Sequence, residues 1–220
     1  MKNMDDYRFQ NEREYQLAFL ERIRKLLLVY EKFYQEETKG DMLPRIGGSI
    51  LSHQELTRTL QKSHPEFWNH KKEALQELSR IRKCGKKSMR ENGIVIAMEY
   101  VIHAFGLTDF EAFLLILAWA SQMDHETGLV VSAMCEYQGG KGPTIHFCAR
   151  LYALEEVETI EIKRKCLSRK ELLSWLFAGT ESGQRGESLL EKGLHLDDRI
   201  FAYLQDYGSL DDELKMYVDY

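Results

Sequence analysis

A chain of 220 residues, 44% hydrophobic and 30% charged, is long enough to bury a sizeable core as one large domain or two small ones. Its formal net charge of -5 excludes a surface given over wholly to nucleic acid, although local basic patches remain compatible with it. The longest uncharged apolar run, residues 112–120, is nine residues, against the roughly 20 that a membrane span needs, so no membrane partner is expected.

Residues 5–37 have a helical period. Leu20, Ile23, Leu27, Tyr30 and Tyr34 recur at three- and four-residue steps, with Glu21, Arg24, Lys25, Glu31 and Lys32 on the other face. Two readings stay open for this helix: it packs on its own domain, or it pairs with a second copy as a short coiled coil. Lys39-Gly40, Pro44 and Gly47-Gly48 mark a loop. Ser52 and Glu55 then form a capping box that starts a helix to about residue 62.

Pro65 suits the first turn of the next helix, which runs to residue 92 and stops at Gly93. Ile94, Val95 and Ile96 read as a short strand. A helix over 98–104 follows, and Thr108 with Glu111 makes a second capping box. That box opens the most apolar helix, to residue 123, which is expected to be central and buried because it lacks a polar face.

Two shorter helices are predicted over 128–137 and 144–153, and residues 159–166 alternate weakly enough to be either strand or helix. Residues 169–177 read as helix and 179–186 as a flexible loop. Residues 188–191 and 194–196 flank Lys192-Gly193 as a tight hairpin. Asp197 caps a last clear helix to about residue 206, and residues 209–212 look like one more helix start. The expected class is mainly α with a small β component: a helical N-terminal region, residues 1–92, then a winged-helix-like domain, residues 93–220.

Catalytic motifs are incomplete throughout. The stretch 138–144 (QGGKGPT) contains a Gly-Lys pair, but a phosphate loop of the form GxxxxGK[ST] would need glycine at Cys135 and a hydroxyl at Gly142. His146, Cys148 and Cys135 do not reach the four ligands of a zinc site, and His125-Glu126 lacks the second histidine at Leu129 that HExxH demands. The four cysteines form no CxxC pair, and the N-terminus MKNMDDYRFQ lacks the apolar region of a secretory signal, so reduced thiols in a cytoplasm are expected. The chain is read as non-enzymatic, with no cofactor and no metal implied.

One charge cluster stands out. Residues 80–90 (RIRKCGKKSMR) hold Arg80, Arg82, Lys83, Lys86, Lys87 and Arg90 and no acid, preceded by Lys71 and Lys72. Such a patch could neutralise phosphates, meet an acidic partner surface or the acidic stretch beyond Glu171, or be a solvated helix end. Without interleaved aromatics it is no stacking platform for single strands.

The pattern from Gly93-Ile94-Val95-Ile96 onward resembles the winged-helix-like region that precedes the ATPase module in a group of bacterial AAA+ ATPases. The residues that carry the likeness are Phe105-Gly106-Leu107-Thr108-Asp109-Phe110-Glu111, the apolar helix ending at Asp124, and Gly142-Pro143-Thr144 with Leu151. Leu189-Leu190, Leu194 to Ile200, Ala202-Tyr203-Leu204 and Leu210-Asp211 complete it. The resemblance implies a non-catalytic accessory region whose partner is a protein, its own ATPase module or a substrate. No ATPase role transfers to any residue here, because the Walker motifs would follow the final block. The rival expectation is a stand-alone winged-helix regulator that binds nucleic acid.

Overall fold

A computed structural model describes residues 7–38, 65–135, 142–178 and 188–205. Nine helices and two short strands occupy these residues in the order α1 (Glu12–Thr38), α2 (Pro65–Asn92), α3 (Ala97–Ala104), α4 (Asp109–Met123), α5 (His125–Met134), α6 (Ile145–Tyr152), α7 (Glu156–Ser168), α8 (Lys170–Leu176), β1 (Phe177–Ala178), β2 (His195–Leu196) and α9 (Asp198–Leu204). This is the mainly helical class with a small sheet that the composition predicts. No helix among the described residues is long and apolar enough to cross a membrane. The predicted helix over 52–62, the phosphate-loop-like residues 138–141 and the late start at 209–212 lie outside the described residues.

Helix α4 is the hub. The capping box forms as read: the Thr108 hydroxyl accepts from the Glu111 amide and the Glu111 carboxylate accepts from the Thr108 amide. Every residue from Phe110 to Ala120 is buried, so α4 has no solvent face and packs against α1, α5, α6 and β2. The apolar stripe of α1 faces inward: Tyr15, Phe19, Ile23, Leu26 and Leu27 are all at most 2% exposed. That burial is spent inside the chain, mainly against α2. Phe9, Tyr15 and Phe19 stack edge to face at 5.2 and 4.9 Å, which suits the positive edge and negative face of aromatic rings. Residues of α1, α2 and α4 share one buried cluster with Leu173, Phe177 and Leu196.

Several predicted elements are corrected. Residues 94–96 form an extended link and not a strand: Ile96 is buried as the N-cap of α3 while Val95 points outward, and these three residues between two helices pair with no strand among the described residues. Helix α5 begins at His125, not 128, because the Asp124 carboxylate accepts from the Thr127 amide at 2.9 Å and caps it. Residues 159–166 are helical within α7.

The predicted hairpin at Lys192-Gly193 is not the observed one. The strand pair is instead β1 with β2, antiparallel in the register Phe177↔Leu196 and Ala178↔His195. Residues 189–191 turn, and the Leu190 carbonyl accepts from the His146 amide at 2.9 Å. Gly193 bridges to Thr144, and the Leu194 amide donates to the Pro143 carbonyl. The 193–196 segment therefore lies between two partners, one on each side. Gly142 adopts φ +120, and a Cβ there would sit 2.4 Å from the Leu194 carbonyl oxygen, so only glycine admits this approach.

Candidate functional site

Helix α2 splits the predicted basic cluster in two. Arg80, Lys83, Lys86, Lys87 and Arg90 are exposed, and with Lys72 they fall on one side of the helix at a 3.6-residue period. Arg82 turns inward. Its Nε donates to Glu99 Oε1 at 2.9 Å and its Nη1 to Asp109 Oδ1 at 2.9 Å, joining α2 to α3 and α4. Glu99 is 3% exposed and also accepts from the Tyr15 hydroxyl at 2.5 Å. Lys86 lies 3.8 Å from the same carboxylate, and Lys87 lies 3.9 Å from Glu91 one turn away.

Burial opposes the Arg82 charge, yet the Glu99 hydrogen bond and charge outweigh it, and its pKa ends above the usual value. The Tyr15 hydroxyl is pushed well up, first by burial and then by the Glu99 carboxylate. Arg82 is thus a structural cation, and the outer ridge is carried by Lys72, Arg80, Lys83, Lys86, Lys87 and Arg90.

Lys71 is likewise turned inward. At 1% exposure it donates to the carbonyls of Arg150 at 2.8 Å and of Ala153, and lies 4.8 Å from the centre of the Trp68 ring. Those carbonyls end α6, where a cation is favoured by the helix dipole. Burial lowers the pKa of its ammonium to about 8.

The corner that Lys71 holds is the turn of a helix-turn-helix: α6, residues 153–155, then α7. Glu158 reaches back to accept from the Leu154 amide at 2.8 Å, and Arg169 donates to the buried Glu111 and, at 3.2 Å, to the Gly106 carbonyl. These bonds seat α7 with Ile162 and Cys166 inward. Its outward face then carries Val157, Ile160, Glu161, Arg164 and Leu167. Val157, Ile160 and Leu167 are 65%, 63% and 47% exposed. Trp175 on α8 is exposed as well. This apolar face was not singled out in the sequence, because residues 159–166 suited strand or helix and each choice exposes a different set of side chains.

The remaining candidate groups do not converge on chemistry. Cys148 is buried and its thiol is pushed well up by burial and by the neighbouring Cys135 and Cys166, while burial raises Cys166 to about 12. Neither holds the thiolate that nucleophilic chemistry requires. His146 keeps much of its side chain in solvent, with Nδ1 3.1 Å from Lys163 Nζ, and partial desolvation followed by that neighbouring charge lowers its pKa. No group of three or more His, Cys, Asp or Glu side chains among the described residues is placed to hold a metal ion. A cleft of about 260 Å³ lies between α2, α4 and the start of α7, floored by Leu75, Phe113 and Tyr152. Its rim mixes Lys72 and Arg82 with Asp109 and Glu158, so it favours neither sign of ligand charge.

No curated protein and no solved structure matches the chain. A family model described as "Winged helix domain, variant" matches residues 3–218. The helix-turn-helix of α6 and α7, the strand pair after it and the Thr144–Gly193 bridge supply the corresponding architecture. Matched over nearly its whole length, the chain belongs to the winged helix domain, variant family.

Proposed function

We propose that this winged-helix chain is the non-catalytic accessory region of a AAA+ ATPase and that it docks a protein through the outward face of α7. The fold type serves nucleic-acid binding or regulation, and one observation favours a protein partner: the apolar character of the helix that follows the helix-turn-helix corner. A helix that reads base edges in the major groove presents Arg, Lys, Asn or Gln there. Here α7 presents Val157, Ile160 and Leu167 with Arg164 between them. Apolar side chains left in water at that position are suited to another protein's surface. The resemblance carried by residues 105–111, 142–144 and 194–204 supplies the ATPase context.

The test begins with an antibody to this chain on an immunoblot of its native cells. A band well above 25.8 kDa, in a polypeptide that hydrolyses ATP, is expected. In that polypeptide Ile160→Glu should change the rate of hydrolysis or its response to partner while nucleotide binding is unchanged. A native band at 25.8 kDa removes the reading.

A stand-alone nucleic-acid regulator is favoured by one feature, the exposed ridge of Lys72, Arg80, Lys83, Lys86, Lys87 and Arg90. It requires affinity for DNA that falls steeply as salt is raised and falls again in Lys83→Glu and Arg90→Glu. Filter binding across a salt series decides it.

A further inference from the structure

We infer that α7 is a self-association surface, which pairs antiparallel with α7 of a second copy of this chain. The inference rests on the docking reading above and commits it to one occupant.

Val157, Ile160, Arg164 and Leu167 follow the 3-4-3 spacing of a coiled-coil seam, here on a helix whose opposite side, Ile162 and Cys166, is already anchored in the core. Anchoring matters, because a free helix of this length would lose its gain to ordering entropy. Helix α7 is held by the Lys71 clamp at the corner before it and the Arg169–Glu111 pair at its end.

The seam chooses its own orientation. In a parallel pair the seam positions face their equivalents, which sets Arg164 against Arg164 of the other copy. In an antiparallel pair Val157 faces Leu167 and Ile160 faces Arg164, and each layer occurs twice by the two-fold axis. The Arg164 stem then covers Ile160, and its guanidinium comes beside Glu161 of the other copy. Charge along the helix has the same sense: Glu155 and Glu161 lie toward the start, Arg164 and Lys165 toward the end. Reversing one copy brings each half against its complement. One charged residue within an otherwise apolar seam is a register device.

The area sets the strength. Val157, Ile160 and Leu167 together expose on the order of 300 Å² per copy. A standard interface takes about 800 Å² from each partner. Association is therefore weak and concentration-dependent, of the kind that becomes strong when copies are already held close. On the α1 face that the sequence offers for pairing, Ile23, Leu27 and Tyr30 are buried within the chain, which leaves α7 as the better self-complementary helix among the described residues.

Sedimentation of the whole chain across the micromolar to millimolar range tests this. The mass should rise with concentration from 25.8 kDa toward twice that value. Leu167→Glu and Arg164→Glu should each abolish the rise, and the exchange Glu161→Arg with Arg164→Glu should restore it, with far-ultraviolet circular dichroism unchanged in all three. A chain that stays at one mass throughout, a rise indifferent to Leu167→Glu, or a charge exchange that stays monomeric overturns the antiparallel pairing. Ile160 belongs to the same seam, so the two readings separate by their combination of outcomes. A chain that stays monomeric while Ile160→Glu still alters hydrolysis overturns the pairing and leaves the docking reading standing. A chain that pairs as described, with hydrolysis indifferent to Ile160→Glu, does the reverse.

Discussion

At the scale of single residues, the buried ions govern stability. Glu99 satisfies Tyr15 and Arg82 together from a position that water does not reach. Removing Glu99 leaves the buried Tyr15 hydroxyl without its acceptor and Arg82 with the exposed Asp109 alone, and breaking a buried pair in this way costs about 3 to 5 kcal/mol. Glu99→Ala should lower the urea midpoint accordingly, and Glu99→Gln, which keeps the shape and an acceptor oxygen, should lower it less. Lys71 acts through pH. Its ammonium titrates near 8 in the folded chain, displaced by burial from the usual 10.5. Between those values the unfolded chain binds more protons than the folded one, so this group's contribution to stability rises with pH across that window and is flat below it. Lys71→Met removes the rise, and the difference in unfolding free energy between wild type and variant from pH 8 to pH 10.5 reads it directly.

At the scale of elements, α4 and α5 meet backbone to backbone. A Cβ on Gly128 would lie 2.4 Å from the Ser121 carbonyl oxygen, part of a backbone that cannot rotate away. Gly-to-Ala in a helix ordinarily gains up to about 1 kcal/mol. Here the overlap should reverse the sign, and Gly128→Ala is expected to lose about 1 to 3 kcal/mol in a thermal melt. What the sequence made legible at this scale follows the range of the cause. The Thr108–Glu111 box, the buried character of α4 and the Asp197 cap are local patterns, and all three are present. The two-residue β1–β2 pair was missed because it rests on contacts across 17 residues and on Gly142 and Pro143, with little local alternation to announce it. The basic cluster was legible as charge. Which cation would turn inward was not, since that depends on Glu99 and Asp109 arriving from other helices.

At the scale of the whole molecule, a boundary at residue 92 meets a core that runs across it. Tyr15, Phe19, Ile23 and Ile81 lie on one side of that boundary and share a buried cluster with Leu114, Ile116 and Trp119 on the other. A fragment of residues 93–220 would present the α1-facing side of α4 to water. It should bind a hydrophobic dye and unfold without a cooperative transition. A sharp transition in that fragment would instead establish the 93–220 region as an independently folding domain.

The burial of α4 on every side also makes it a clock. Its amides between Phe113 and Ala120 can be reached by deuterium only when the helices around them separate. Their labelling should therefore proceed at the rate set by opening of the entire chain, slower than in α7 or α9, and a label on Leu117 would time that opening without any denaturant.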